Sequence, residues 1–118
     1  MVESSYTKSK ALYIAEAAAD KKAEDVVVLD VQKISGFCDY FVIASASSLK
    51  QTKAISDHIA DTLAEQKIKP RSIQGKQDSQ WILLDYNDVV VHIFYHEIRA
   101  FYNLEKLWGD AKRVDISA

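Results

Sequence analysis

QWILLDYNDVVVHIFY, residues 80–95, is the stretch on which the architecture of this chain turns. It holds two apolar, β-branched runs around Asp85-Tyr86-Asn87-Asp88, and Asn87 tolerates the left-handed backbone that tight hairpins need. The segment therefore reads as two antiparallel strands joined by a short turn. Its register stays open. A two-residue loop at Tyr86-Asn87 places Trp81 opposite His92 on one sheet face. A three-residue loop with Asn87 left-handed slips the register by one and separates them. The chain then runs into a helix from His96 or Glu97 to about Trp108, with Gly109 as its stop.

Outward from the hairpin, the same reasoning orders the rest. Leu12, Ala15, Ala18 and Ala19 recur at helical spacing between Tyr6 and Lys22, and alanine favours helix. EDVVVLDVQ, from Glu24 to Gln32, is a β-branched run ended by Ser35-Gly36, and DYFVIASA from Asp39 makes a second strand. Ser47 or Ser48 offers an N-cap for a helix to about Gln66 that carries Ile55, Ile59 and Leu63 on one face. Pro70 restarts the chain for a short strand at Arg71 to Ile73. The order α-β-β-α-β-β-β-α predicts an α/β (α+β-like) fold, a mixed sheet of about five strands flanked by helices.

At 118 residues the expectation is one domain, 1–118, with its core at about 8–110. Hydrophobic residues make up 48% and charged ones 27%, ordinary for a soluble chain. Three glycines and one proline leave little room for linkers. The lone cysteine, Cys38, has no internal partner for a disulfide and is expected as a small packed thiol in a reducing cytosol. The first residues lack the apolar core and cleavage site of a secretory signal, and no apolar run approaches the roughly 20 residues that span a bilayer. A cytoplasmic protein is the expectation. Net charge is −2, with lysines and arginines interleaved with acids, so little direct RNA binding is expected.

Reactive chemistry finds little support. His92 and His96 are four residues apart. On an extended strand their α-carbons lie roughly 13 Å from each other, whereas a tetrahedral ion holds its ligands at about 2 Å. No metal site is expected. No Asp or Glu is followed two positions later by another acid, so the D-x-D pair that two-metal transfer commonly uses is missing. Asp57 and Asp61 sit one helical turn apart on a solvated face. G-x-S-x-G, GxxxxGK[ST] and G-x-G-x-x-G are absent. SASSLK, from Ser45 to Lys50, reads as a helix cap rather than an anion site. Neither a catalytic residue nor a cofactor is assigned.

The last helix carries more apolar surface than one docking stripe requires. At about 100° per residue, Ile98, Phe101, Tyr102, Leu104, Leu107 and Trp108 spread over about 220°. A stripe of roughly 100° suffices to dock on a sheet. Glu105 lies within that arc, where a core rarely keeps an unpaired carboxylate. Seven of the twelve aromatic residues (Trp81, Tyr86, Phe94, Tyr95, Phe101, Tyr102 and Trp108) fall in the last third of the chain. Rings beside isolated charges are what protein interfaces favour at their centres, although large rings also fill cores.

These residues carry a family likeness. W-x-L-x-D-x-x-D-V-x-V-H-x-F from Trp81 to Phe94 and R-x-x-Y-x-L-E-x-L-W from Arg99 to Trp108 resemble the ribosomal silencing factor S (iojap) family. The likeness extends from about Leu12 to Asp110. It implies a nucleotidyltransferase-like fold without catalytic acids. It also implies binding to the large ribosomal subunit through ribosomal protein L-fourteen, which sterically blocks joining of the small subunit and lowers translation when nutrients are short. Asn87 stands where the family commonly has glycine, and Gln74 where an acid is usual. On this combined reading the partner-binding residues are Trp81, Asp85, His92, Arg99, Tyr102, Glu105 and Trp108. Trp81 and Tyr102 would be desolvated anchors, Asp85 and Glu105 would pair with basic groups, and His92 would be either a contact or a buried orienting group. A weak homodimer is compatible with this scheme. A nucleotidyl or phosphoryl transferase and a purely homodimerising domain are the alternatives.

Overall fold

A computed structural model describes residues 2–34, 36, 38–102 and 111–114. Along the chain run α1 (Val2–Asp20), β1 (Glu24–Asp30), β2 (Tyr40–Ala46), α2 (Leu49–Glu65), β3 (Ser72–Gln74), β4 (Trp81–Asp85), β5 (Val89–Tyr95), α3 (His96–Tyr102) and β6 (Lys112–Val114). The strands form one mixed sheet in the order β3-β4-β5-β2-β1-β6. Only β2 and β5 are parallel; β1 and β2, β1 and β6, β3 and β4, and β4 and β5 are antiparallel. The central parallel pair is covered on both faces, so β2 is buried along its whole length, as parallel strands generally require.

The expected order holds, with a further short strand after α3, so that six strands are described where about five were expected. β6 is three residues long, two of them basic, and lies at the edge beside β1. Short charged edges resist pairing with other chains and carry almost no apolar periodicity, so nothing in Lys112-Arg113-Val114 announces a strand.

α1 buries Ala11, Ile14, Ala15 and Ala18, the spacing of one helical face, while Leu12 is only half-buried and Ala19 is exposed. The face is thus rotated toward the small residues. α2 buries Thr52, Ile55, Ser56, Ile59 and Leu63, with Ser48 as its N-cap accepting the Gln51 backbone N–H. Both helices end in the same hydrogen-bonded motif without glycine. Lys22 and Lys67 take φ of 63° and 64°. The Lys22 and Ala23 amides donate to Ala19 and Ala18, and the Lys67 and Ile68 amides to Ala64 and Leu63. The Gln51 side-chain Nε2 donates to the Lys21 and Lys22 carbonyls, which ties the end of α1 to the start of α2.

α1 and α2 lie on the same sheet face. Their apolar residues join Val28, Val42, Ala44, Ile82, Leu84, Val89, Val91 and Ile93 in the larger core. The opposite face carries a smaller cluster of Val27, Leu29, Val31, Cys38, Phe41, Ile43 and Phe94, with Trp81, Val90 and Ile98 at its margin. At the hairpin tip, Asp88 accepts from Thr7 Oγ1 at 3.0 Å and pairs with Lys10, which clamps α1 to the turn. No helix among the described residues is long and apolar enough to cross a membrane.

Candidate functional site

The β4–β5 hairpin takes neither of the two registers weighed from the sequence. Trp81 pairs with Phe94, Leu83 with His92, and Asp85 with Val90. The Tyr86 amide donates to the Val89 carbonyl, leaving a two-residue loop of Asn87 and Asp88. Asn87 has φ 75°, and the Asp88 amide donates to Tyr86 O at 3.0 Å, closing a γ-type turn. The Asn87 amide in turn donates to Asp85 Oδ1 at 2.8 Å, an Asx turn. The slip relative to a Tyr86-Asn87 loop amounts to two residues. An even slip preserves the faces, so Trp81 and His92 remain on one side as diagonal neighbours.

On that side, opposite α1 and α2, the rings form one cluster. Phe41 meets His92 edge-on at 5.0 Å, His92 lies parallel to Phe94 at 6.2 Å, and Trp81 tilts against Phe94 at 5.0 Å. Trp81 Nε1 donates to His92 Nδ1 at 3.1 Å. An indole N–H only donates, so Nδ1 carries the lone pair and the ring proton sits on Nε2. That Nε2 is buried without a hydrogen-bond partner among the described residues. Burial pushes the His92 pKa down to about 4, so the ring is neutral throughout the physiological range. His92, 6% exposed, is therefore a fixed neutral acceptor behind the indole.

Trp81 and Leu83 are half-buried on this face, and Val90 beside them is too. The backbone under Trp81 is shaped by Gly75, whose φ is 86°. A Cβ there would meet Trp81 O at 2.0 Å, so only glycine lets the preceding loop lie against the start of β4. Asp85, at the other end of β4, receives Arg71 Nη2 at 2.9 Å, and Arg71 Nη1 reaches Asn87 Oδ1 at 3.2 Å. Its carboxylate thus has partners within the chain, and Arg71, which is exposed, brings a cation to the rim.

Arg99 is turned inward. It is 8% exposed, and its Nη1 donates to Asp25 O at 2.6 Å and to Ser45 Oγ at 2.8 Å. The Tyr102 side chain, and Glu105 and Trp108 entirely, lie outside the described residues. His96, exposed at the start of α3, stacks edge-on against Tyr95 at 4.8 Å. Among the described residues, no three His, Cys, Asp or Glu side chains gather as metal ligands.

Sequence reasoning named Trp81, His92 and Asp85 in this region but missed Phe41, Gly75 and Arg71. Phe41 comes from β2, about fifty residues away, and local pattern does not reveal a ring contact across a parallel strand pair. Gly75 had a usable signal, being one of three glycines in the chain.

The molecule is thus a small α+β domain whose ring cluster, on the sheet face opposite α1 and α2, is buried except for the half-buried Trp81. Comparison with known proteins places it. The family model described as "Ribosomal silencing factor during starvation" matches residues 4–118. Ribosomal silencing factor RsfS of Bacillus subtilis (strain 168) is 46% identical over 106 residues, covering 89% of this chain and 90% of the relative. The chloroplastic Protein Iojap of Zea mays is 42% identical over 108 residues, 92% of this chain and 47% of that longer protein. A crystal structure from Bacillus halodurans, 42% identical, superposes with a TM-score of 0.77 over 88% of this chain and 95% of its own. One from Chromobacterium violaceum, 27% identical, reaches 0.81 over 97% and 92% respectively. The chain belongs to the ribosomal silencing factor family.

Proposed function

We propose that this protein represses translation in the cytoplasm by docking on the large ribosomal subunit through ribosomal protein L-fourteen. Once bound, it occupies space that the small subunit needs for joining. No bond is made or broken; obstruction suffices. The observation that carries the reading is the ring cluster on the face opposite α1 and α2, where Trp81 and Leu83 stay half-buried while His92, itself packed on Phe41, and Phe94 hold the indole in one orientation. A preoriented aromatic anchor loses little entropy on binding, which is how central interface rings contribute most of their affinity.

In this scheme Trp81 and Tyr102 are the anchors, with Trp108 extending their surface. Asp85 and Glu105 meet basic groups of the partner, Asp85 jointly with Arg71 at the rim. His92 serves from behind, as the acceptor that orients the indole. With a net charge of −2, the protein gains nothing by grasping RNA and does better on an apolar and basic protein patch.

The test is a gradient experiment with purified subunits. Added protein should co-sediment with large subunits and reduce the fraction that joins small subunits. Sedimentation with neither subunit, or unchanged joining at saturation, refutes the proposal. A stable homodimer by light scattering that excludes large subunits would favour self-association instead.

A further inference from the structure

β1 does not pair evenly with β2. Glu24 faces Ser45 and Val27 faces Ile43, so three steps on β1 match two on β2 and one residue is extra. Asp25 sits in this bulge at φ 49°, the left-handed position that glycine usually fills. The bulge frees the Asp25 carbonyl from the ladder, and Arg99 Nη1 takes it at 2.6 Å while also holding Ser45 Oγ at 2.8 Å. One buried nitrogen of α3 therefore bridges β1 and β2.

We propose that Arg99 is a positioning residue rather than a partner contact: it fastens α3 to the β1 bulge and so sets where the docking surface carried by α3 stands relative to Trp81. Helical stability in proteins comes mostly from tertiary packing, so the placement of α3 depends on such ties. Guanidinium suits the task because its planar fork is preorganised and always charged, and a hydrogen bond from a charged donor outweighs a neutral one. Lysine would offer no such fork. The strained Asp25 backbone has the same explanation, since it delivers a carbonyl to a fixed point. The positioning role rests on the docking function proposed above; the mechanical tie does not.

Ser45 makes the test clean, because at 2% exposure it touches no partner. Hydrogen exchange by mass spectrometry on Ser45→Ala and Arg99→Met should show amides of 96–102 exchanging about tenfold faster, with the β4–β5 hairpin unchanged. Both variants should bind large subunits several-fold more weakly, and the double variant no more weakly than Arg99→Met alone. Unchanged α3 exchange in both variants overturns the proposal. So does wild-type affinity of Ser45→Ala beside a large loss in Arg99→Met, which would make Arg99 a direct contact. Should Arg99→Met fail to fold, Ser45→Ala decides alone. If the wild-type protein does not bind large subunits, the docking function fails while the exchange arm still decides the tie.

Discussion

Acid should destabilise this protein through the His92 ring. In the folded state burial among Phe41, Trp81 and Phe94 lowers its pKa from the ordinary 6.5 to about 4. Between those values the unfolded chain binds a proton that the folded chain refuses, so stability is fully present above about pH 6.5 and falls with acid. The loss levels off once pH drops below the folded pKa. Fully expressed, the depression is worth about 3 kcal/mol. At about pH 5 roughly 2 kcal/mol of it is already gone relative to about pH 7.5, a large part of the stability of a domain this size. Urea unfolding at the two pH values measures it directly. The His92→Gln variant keeps an acceptor for the Trp81 indole but has no proton to take up. Its stability should fall by about 2 kcal/mol less than wild type over the same interval. Equal losses in the two proteins would mean that His92 is not the buried neutral acceptor described, and the account of how Trp81 is oriented would go with it.

Two glycine substitutions should move stability in opposite directions. Lys67→Gly removes a left-handed penalty of roughly 1–2 kcal/mol but adds unfolded-state freedom, for a net gain of about 0.5–1 kcal/mol, seen as a melting point about 2–4 °C higher. The converse, Gly75→Ala, drives a Cβ against Trp81 O and should cost about 3 kcal/mol or more, with a lower urea midpoint. A neutral Gly75→Ala variant would contradict the close approach at the start of β4.

Long periodic segments were legible and point contacts were not. Ile55, Ile59 and Leu63 sit on the buried face of α2 as their spacing demands, and the Val-rich run of β5 is a buried strand. The helix ends were legible near Lys22 and Gln66, but the left-handed closing residues Lys22 and Lys67 were not, because lysine carries no left-handed signature. Only the hydrogen bonds from the following amides hold it there. Hairpin register escaped for a related reason: Asn87 takes the left-handed conformation as expected, but the Asp85 carboxylate draws the Asn87 amide inward and shifts the two-residue loop to Asn87-Asp88. Arg99 is buried, which its sequence context did not reveal. A charged residue between rings looks like a surface contact, and nothing local shows that a bulge 74 residues earlier offers it a carbonyl. The resemblance to the ribosomal silencing factors, by contrast, rested on fixed residue types at fixed spacing, and the family match confirms it.

The central claim is that the face bearing Trp81, opposite α1 and α2, meets the ribosome. Co-sedimentation of folded Trp81→Ala with large subunits tests it, beside Tyr6→Ala, an exposed residue of α1, as the control. The account predicts a loss of about 2 kcal/mol, roughly thirtyfold in affinity, for Trp81→Ala and none for Tyr6→Ala. Wild-type binding by a folded Trp81→Ala protein, or loss of binding in the Tyr6 variant instead, would contradict it.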